Sequence, residues 1–305
     1  MGMDVVKLKP ASKDYIWSGT KLAKLGKPNK NGRVAETWEL SFLDEGPSII
    51  ASRTYKSKTL KEVASSLDIG SIPSSFPYFP TLIKLIDAGN NLSVQVHPSD
   101  EYALKNEHQY GKIEMWYVLD NEPGSGLYVG FNKDYSLKEI KDALNEGNIL
   151  DLLNFFEVKP GDRFFIPSGT IHAIGKGVTL IEIQQSSTLT YRLYDYNRID
   201  KDGNKRPLHI EKALKVINPH KYEPISFDNG CIGRCRYFAV YKKDVAKENM
   251  IMNDETSFSS ITFIEGKGKL NGINYKIGDT FFIPASKKAL IIGNGEYILT
   301  KLEKK

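Results

Sequence analysis
Gly161-Asp-Arg-Phe-Phe-Ile-Pro167 recurs near the C-terminus as Gly278-Asp-Thr-Phe-Phe-Ile-Pro284, with six of seven residues identical. In each copy a Gly-Asp turn feeds a short apolar run that proline closes, the pattern of a strand entered from a tight turn. Strand-like segments flank both copies, so the chain reads as two β units of the same kind, the second spanning roughly 235 to 305. At the place of His172 the second copy carries Ala289, so whatever His172 does is confined to the first.

The 305 residues are 40% hydrophobic and 11% aromatic, enough for one large or two ordinary folded units burying about 75% of the unfolded surface. No 18-residue apolar run exists, and Met1 to Lys7 lacks the charged-then-apolar layout of a signal peptide, so a soluble cytoplasmic protein is expected, with no membrane segment. Cys231 and Cys235 are the only cysteines, too few for a zinc ribbon or a disulfide framework. The net charge of +5 comes from 42 basic residues scattered among 37 acidic ones, which suits an anionic small ligand and not a nucleic-acid-binding face.

Working outward, Ala35 to Phe42 alternates Trp38, Leu40 and Phe42 with Thr37, Glu39 and Ser41 and predicts a half-buried strand. Thr59-Leu-Lys-Glu62 is a capping box opening a short helix with Leu60, Val63 and Leu67 on one side. Ser136-Leu-Lys-Glu139 is a second box, and Leu137, Ile140 and Leu144 continue it as a helix until Gly147. A second helix is expected from Ile149 to Phe156, giving a small helical insertion near 134–156 in an otherwise β chain. The domain boundary is placed at 234/235.

Chemistry concentrates on Leu92-Ser-Val-Gln-Val-His-Pro98. Successive strand side chains alternate faces, so Gln95 and His97 share one while Val94 and Val96 take the other, and Pro98 ends the ladder. Glu114, His172 and Glu182 also sit in apolar strand settings, where an unpaired carboxylate would cost several kcal/mol and therefore meets a cation. Gln95, His97, Glu114 and His172 offer two oxygen-type and two nitrogen ligands, a set that suits zinc and also admits manganese, iron or cobalt. His108, His209 and His220 lie in polar surroundings and read as surface or capping residues.

Gln95 to Pro98, Gly111 to Tyr117, Pro167 to Ala173, Glu182 to Ser187 and Thr190 to Arg198 together resemble, in order, the motifs of the type I mannose-6-phosphate isomerases in their short bacterial and archaeal form. The resemblance runs from about Ile16 to Ile217 and fades to the β repeat beyond about 225. It implies a mainly β fold of two cupin-type jelly-roll units, the first (1–234) catalytic and the second (235–305) degenerate and without metal. It further implies one zinc per chain on Gln95, His97, Glu114 and His172, and interconversion of mannose 6-phosphate and fructose 6-phosphate. Lys112, Glu182 and Arg192 match active-site positions of that family, and Ser93 and Arg198 match positions near the phosphate.

The residue types fit such chemistry on their own terms. Moving a carbonyl between C1 and C2 needs a polarised oxygen, a base for the C–H proton and stabilisation of an enediolate, and a metal supplies the first and third. Glu182 and Lys112 are both candidates for the base, and Arg192 for holding an oxyanion or phosphate. A metal-dependent cupin dioxygenase would use a similar ligand set, and a non-catalytic sugar-sensing cupin is the third alternative. The basic group Lys112, Arg192 and Arg198 favours a phosphorylated sugar.

Overall fold
The computed structural model describes residues 2–29, 31–199 and 203–304 and is mainly β. The chain forms two compact units that are not consecutive in sequence: a terminal unit of Met1–Lys13, Leu22–Leu85 and Ser226–Lys305, and a central unit of Asp14–Lys21 and Ile86–Ile225. This division differs from a boundary at 234/235. Strand β1 (Val6–Lys9) pairs antiparallel with β18 (Thr280–Ile283), Val6 opposite Phe282, so the N-terminal residues complete a sheet built mostly from the C-terminal ones. Covering the backbone groups of a strand edge is a gain that local sequence cannot signal.

In the terminal unit one sheet runs β14 (Cys231–Arg234), β15 (Ala239–Met252), β19 (Lys288–Lys301), β16 (Ser259–Leu270), β18, β1 and β4 (Ile49–Ile50), with β17 (Ile273–Lys276) on β16. Strands β2 (Ala11–Lys13) and β3 (Glu36–Leu40) pair beside β5 (Thr81–Asp87), most of which belongs to this unit. The expectation of a half-buried β3 is corrected, because all five of its residues are buried. Its acid Glu39 is paired with Lys27 at 2.5 Å and accepts hydrogen bonds from Thr37 and Thr280, so partners replace water and the polar face closes over. The helix expected through Leu67 also divides. Leu60–Val63 keeps its Thr59 capping box, Ser65 and Asp68 cap a separate turn Ser66–Ile69, and Leu67 is exposed.

In the central unit one sheet runs β13 (Tyr191–Tyr194), β6 (Val94–Val96), β11 (His172–Ile174), β8 (Gly126–Phe131) and β9 (Leu153–Glu157). A second group is β10 (Arg163–Ile166), β7 (Glu114–Asp120) and β12 (Thr179–Gln185). The insertion holds the helix Leu137–Glu146, opened by the Ser136–Glu139 capping box and stopped by Gly147 in the left-handed region, where glycine carries no Cβ penalty. The expected second helix is instead a short 3-10 turn, Ile149–Leu152, that leads into β9. Ile140, Ala143 and Leu144 of the helix pack with Val94, Val96, Ile171 and Tyr191. At roughly 1.5–3 kcal/mol for each large apolar side chain buried, this cover fixes which face of β6 points away from it. Gln95 and His97 are left on the other face.

The repeat in sequence is a repeat in register. Ile166 lies opposite Glu114 as Ile283 lies opposite Ser259, and His172 opposite Gln95 as Ala289 lies opposite Ile251. Among the described residues no helix is long and apolar enough to cross a membrane.

Candidate active site
Register in the central unit sets three side chains abreast. Arg192 of β13 and His172 of β11 both lie directly opposite Gln95 of β6, and directly paired residues share a face. Ser93 lies two residues before Gln95, and its Oγ accepts from Arg192 Nε at 3.3 Å. On β7 and β12, Glu114 lies opposite Gln184 and Trp116 opposite Glu182. Lys112 enters just ahead of β7, its N–H donating to the Pro98 carbonyl at 3.1 Å. That approach needs Gly111, since a Cβ there would come within 2.4 Å of the Pro98 oxygen.

His97, Glu114 and His172 are all buried, with ligand atoms within 4.8 Å of one another. His172 Nε2 is 3.1 Å and His97 Nε2 3.7 Å from Glu114 Oε1, and Gln95 Nε2 is 3.3 Å from His172 Nε2. The other ring nitrogens decide the tautomers. His172 Nδ1 is 2.8 Å from the Thr170 carbonyl and His97 Nδ1 2.9 Å from that of Leu189. A carbonyl oxygen only accepts, so each Nδ1 carries a proton, which fixes the tautomer in which the Nε2 lone pair is the one turned inward. Burial first, then the Lys112 charge, holds His97 down to about 3, so it is neutral at physiological pH.

Burial acts most strongly, to raise the Glu114 carboxyl, but Lys112 and, after it, the two imidazoles together outweigh it and keep the group well below the usual carboxylate range. Lys112 Nζ contacts Glu114 Oε2 at 2.5 Å and His97 Nε2 at 3.3 Å. Glu114 Oε1 has no hydrogen-bond partner although it is buried. An anionic oxygen facing two imidazole lone pairs is unfavourable unless a cation sits between them. Two imidazole nitrogens, a carboxylate oxygen and an amide oxygen, once the Gln95 amide is turned to present it, make a donor set that fits zinc.

Of the residues singled out from sequence, Gln95, His97, Lys112, Glu114, His172 and Glu182 come together, with Lys112 Nζ 3.8 Å from Glu182 Oε1. Arg192 and Ser93 adjoin them beside Gln95. Arg198 is held apart on the Asn91 and Asp195 carbonyls and the Asp195 carboxylate. Sequence reasoning missed Trp116, whose indole N–H donates to Glu182 Oε2 at 3.0 Å and whose ring meets His172 edge-on. The signal was there in Glu114 and Trp116 on one face of an apolar run. His209 does stand at the N-cap of the helix Ile210–Leu214, as a capping residue would, but its side chain makes no cap bond; its Nδ1 instead accepts from the Arg192 backbone N–H at 3.2 Å.

The family description "Phosphomannose isomerase type I, catalytic domain" matches residues 5–126, and "Mannose-6-phosphate isomerase, cupin domain" matches 232–302. The chain is 36% identical to mannose-6-phosphate isomerase ManA of Bacillus subtilis over 90% of its own length and 91% of that protein's. It is 34% identical to the mannose-6-phosphate isomerase of Streptococcus mutans over 90% of each. A crystal structure of the mannose 6-phosphate isomerase from Bacillus subtilis superposes with a TM-score of 0.87 at 34% identity, covering 98% of this chain and 99% of that one. With that identity sustained over nine-tenths of its length and the expected cupin architecture in place, this chain belongs to the type I mannose-6-phosphate isomerase family.

Proposed function
We propose that the chain interconverts mannose 6-phosphate and fructose 6-phosphate, with one zinc per chain on Gln95, His97, Glu114 and His172. The observation that carries this is the buried meeting of two imidazole Nε2 atoms with an unpartnered carboxylate oxygen, in a chain whose relatives bear the isomerase name. When bound, zinc supplies Lewis-acid polarisation of the sugar carbonyl and stabilises negative charge on its oxygens.

The remaining work falls to side chains. Lys112 Nζ lies between the carboxylates of Glu114, at 2.5 Å, and Glu182, at 3.8 Å, a place that suits it to giving a proton and not to taking one from carbon. Glu182, oriented by the Trp116 indole, is assigned as the base. It takes the C2 proton, the C–H electron pair forms the C1–C2 double bond, and O1 receives a proton from Lys112. In the second half Glu182 returns its proton to C1 while the O2 proton passes back to Lys112, leaving the C2 ketone. Arg192, abreast of Gln95, directs guanidinium donors at the oxygens that gain charge, and Ser93 and Arg198 take the phosphate.

The test is a coupled assay run without oxygen, supplying mannose 6-phosphate to the zinc-loaded chain and detecting fructose 6-phosphate. Turnover is expected. No conversion would overturn the assignment, and turnover only in the presence of oxygen would move the chain to the oxygenase class.

A further inference from the structure
Behind Arg192 the central unit gathers two more guanidinium groups on one carboxylate. Asp195 is buried, and Arg206 takes both of its oxygens, Nε to Oδ2 at 2.8 Å and Nη2 to Oδ1. Arg198 shares Oδ1 through Nη2, and its Nε reaches the Asp195 carbonyl at 3.2 Å. The chain doubles back to allow this: Tyr196 and Asn197 are both left-handed, at φ 55° and 52°, and Arg198 N–H donates to the Asp195 carbonyl at 3.1 Å. Consecutive non-glycine residues in that region are uncommon and persist where surrounding contacts over-determine them.

The same segment is stitched to Arg192, whose Nη1 donates to the Pro207 carbonyl at 2.9 Å, next to Arg206 in sequence. His209 N–H donates to the Arg192 carbonyl at 2.7 Å. Burial, and then the charge of Arg206, pushes the Arg192 guanidinium down from its usual range. Among the described residues Asp195 is the only carboxylate ion-paired with Arg198 or Arg206, so two guanidiniums share one carboxylate. Arg206 Nη1 makes no hydrogen bond within the described residues. A device for stability alone would balance its charges. A phosphomonoester, at about −1.5 to −2 near neutral pH, balances this one.

We propose that Asp195 is a positioning residue that fixes Arg198 and Arg206 as adjoining guanidinium forks, and that Arg206 is a further phosphate contact beside Arg198. This rests on the phosphosugar reading above. Steady-state kinetics on the zinc-loaded chain test it, with inorganic phosphate as a competing probe. Arg206→Met should raise KM for mannose 6-phosphate about 10–100-fold, the range for loss of a charge-assisted hydrogen bond, with kcat within about threefold. The inhibition constant of phosphate should rise by the same factor, and Arg206→Lys should recover part of it. Asp195→Asn should give the same split between KM and kcat. Should that variant fail to fold, Arg206→Met decides alone, at a partly exposed side chain.

Unchanged KM and phosphate inhibition in Arg206→Met would overturn the proposal, and so would a fall confined to kcat. Should the wild-type chain not convert mannose 6-phosphate, calorimetry with inorganic phosphate separates the two claims. Binding weakened in Arg206→Met would keep the anion site while the isomerase reading fell, and equal binding would overturn both.

Discussion

The two β units share a register and differ in what they place on it. Where the central unit has Gln95, His97, Glu114 and His172, the terminal unit has Ile251, Asn253, Ser259 and Ala289. In the terminal unit the two polar residues satisfy each other: Ser259 Oγ donates to Asn253 Oδ1 at 2.7 Å, and Asn253 Nδ2 donates to the Ile283 and Pro284 carbonyls. Ile251 and Ala289 join an apolar cluster with Phe263, Phe281 and Tyr297. In the central unit the polar groups do not close on themselves, and Glu114 Oε1 is left over. The same frame can hold a core or a site, and the difference lies in whether the buried polar groups balance without a further ion.

Metal removal should give the largest effect. Chelation of the zinc-loaded chain is expected to bring isomerase activity to background and leave the far-UV circular dichroism nearly unchanged, since neither unit depends on one ion for its core. Added zinc should restore activity. A collapse of secondary structure on chelation would instead make the ion a structural part of the central unit.

Next in size, Glu182→Gln should lower kcat by about 10²–10⁴-fold, the usual contribution of a positioned base. For the wild type in D₂O, deuterium is expected at C1 of fructose 6-phosphate, and the variant should lose exchange and turnover together. Normal exchange in Glu182→Gln, with loss in Lys112→Met, would reverse the two assignments.

Arg192→Lys keeps the charge but not the planar fork, so kcat should fall by about 10-fold or more, within the range for loss of one charge-assisted hydrogen bond. A rise confined to KM would give Arg192 to ground-state binding of the phosphate and not to the oxyanion.

The smallest effect on catalysis belongs to the terminal unit. Asn253→Ala leaves Ser259 and the Pro284 and Ile283 carbonyls without their partner and should cost about 1–3 kcal/mol of stability in denaturant unfolding. Zinc content and kcat should not change. A loss of bound zinc would break the contrast between the units.

Much of this was legible in the chain because it is local. Alternation placed Val94 and Val96 against Gln95 and His97, the Ser136–Glu139 box and Gly147 bounded a helix, and the Phe-Phe-Ile-Pro repeat announced a second unit. What escaped was non-local. The pairing of β1 with β18 brings together residues from opposite ends of the chain. The burial of Glu39 depends on Lys27 and Thr280, and Asp195 gains its partner Arg206 only once the chain folds back. His209 looked polar from its neighbours and acts through its ring nitrogen on the Arg192 backbone.

The most direct test of the account is metal analysis of the purified chain alongside the His97→Ala, His172→Ala double variant and an Ile251→Ala, Ala289→Gly variant at the matching positions of the terminal unit. One zinc per chain is predicted in the wild type and in the terminal-unit variant, and none in the His97, His172 variant. Two specifically bound equivalents in the wild type, or unchanged zinc after both histidines are removed, would contradict it.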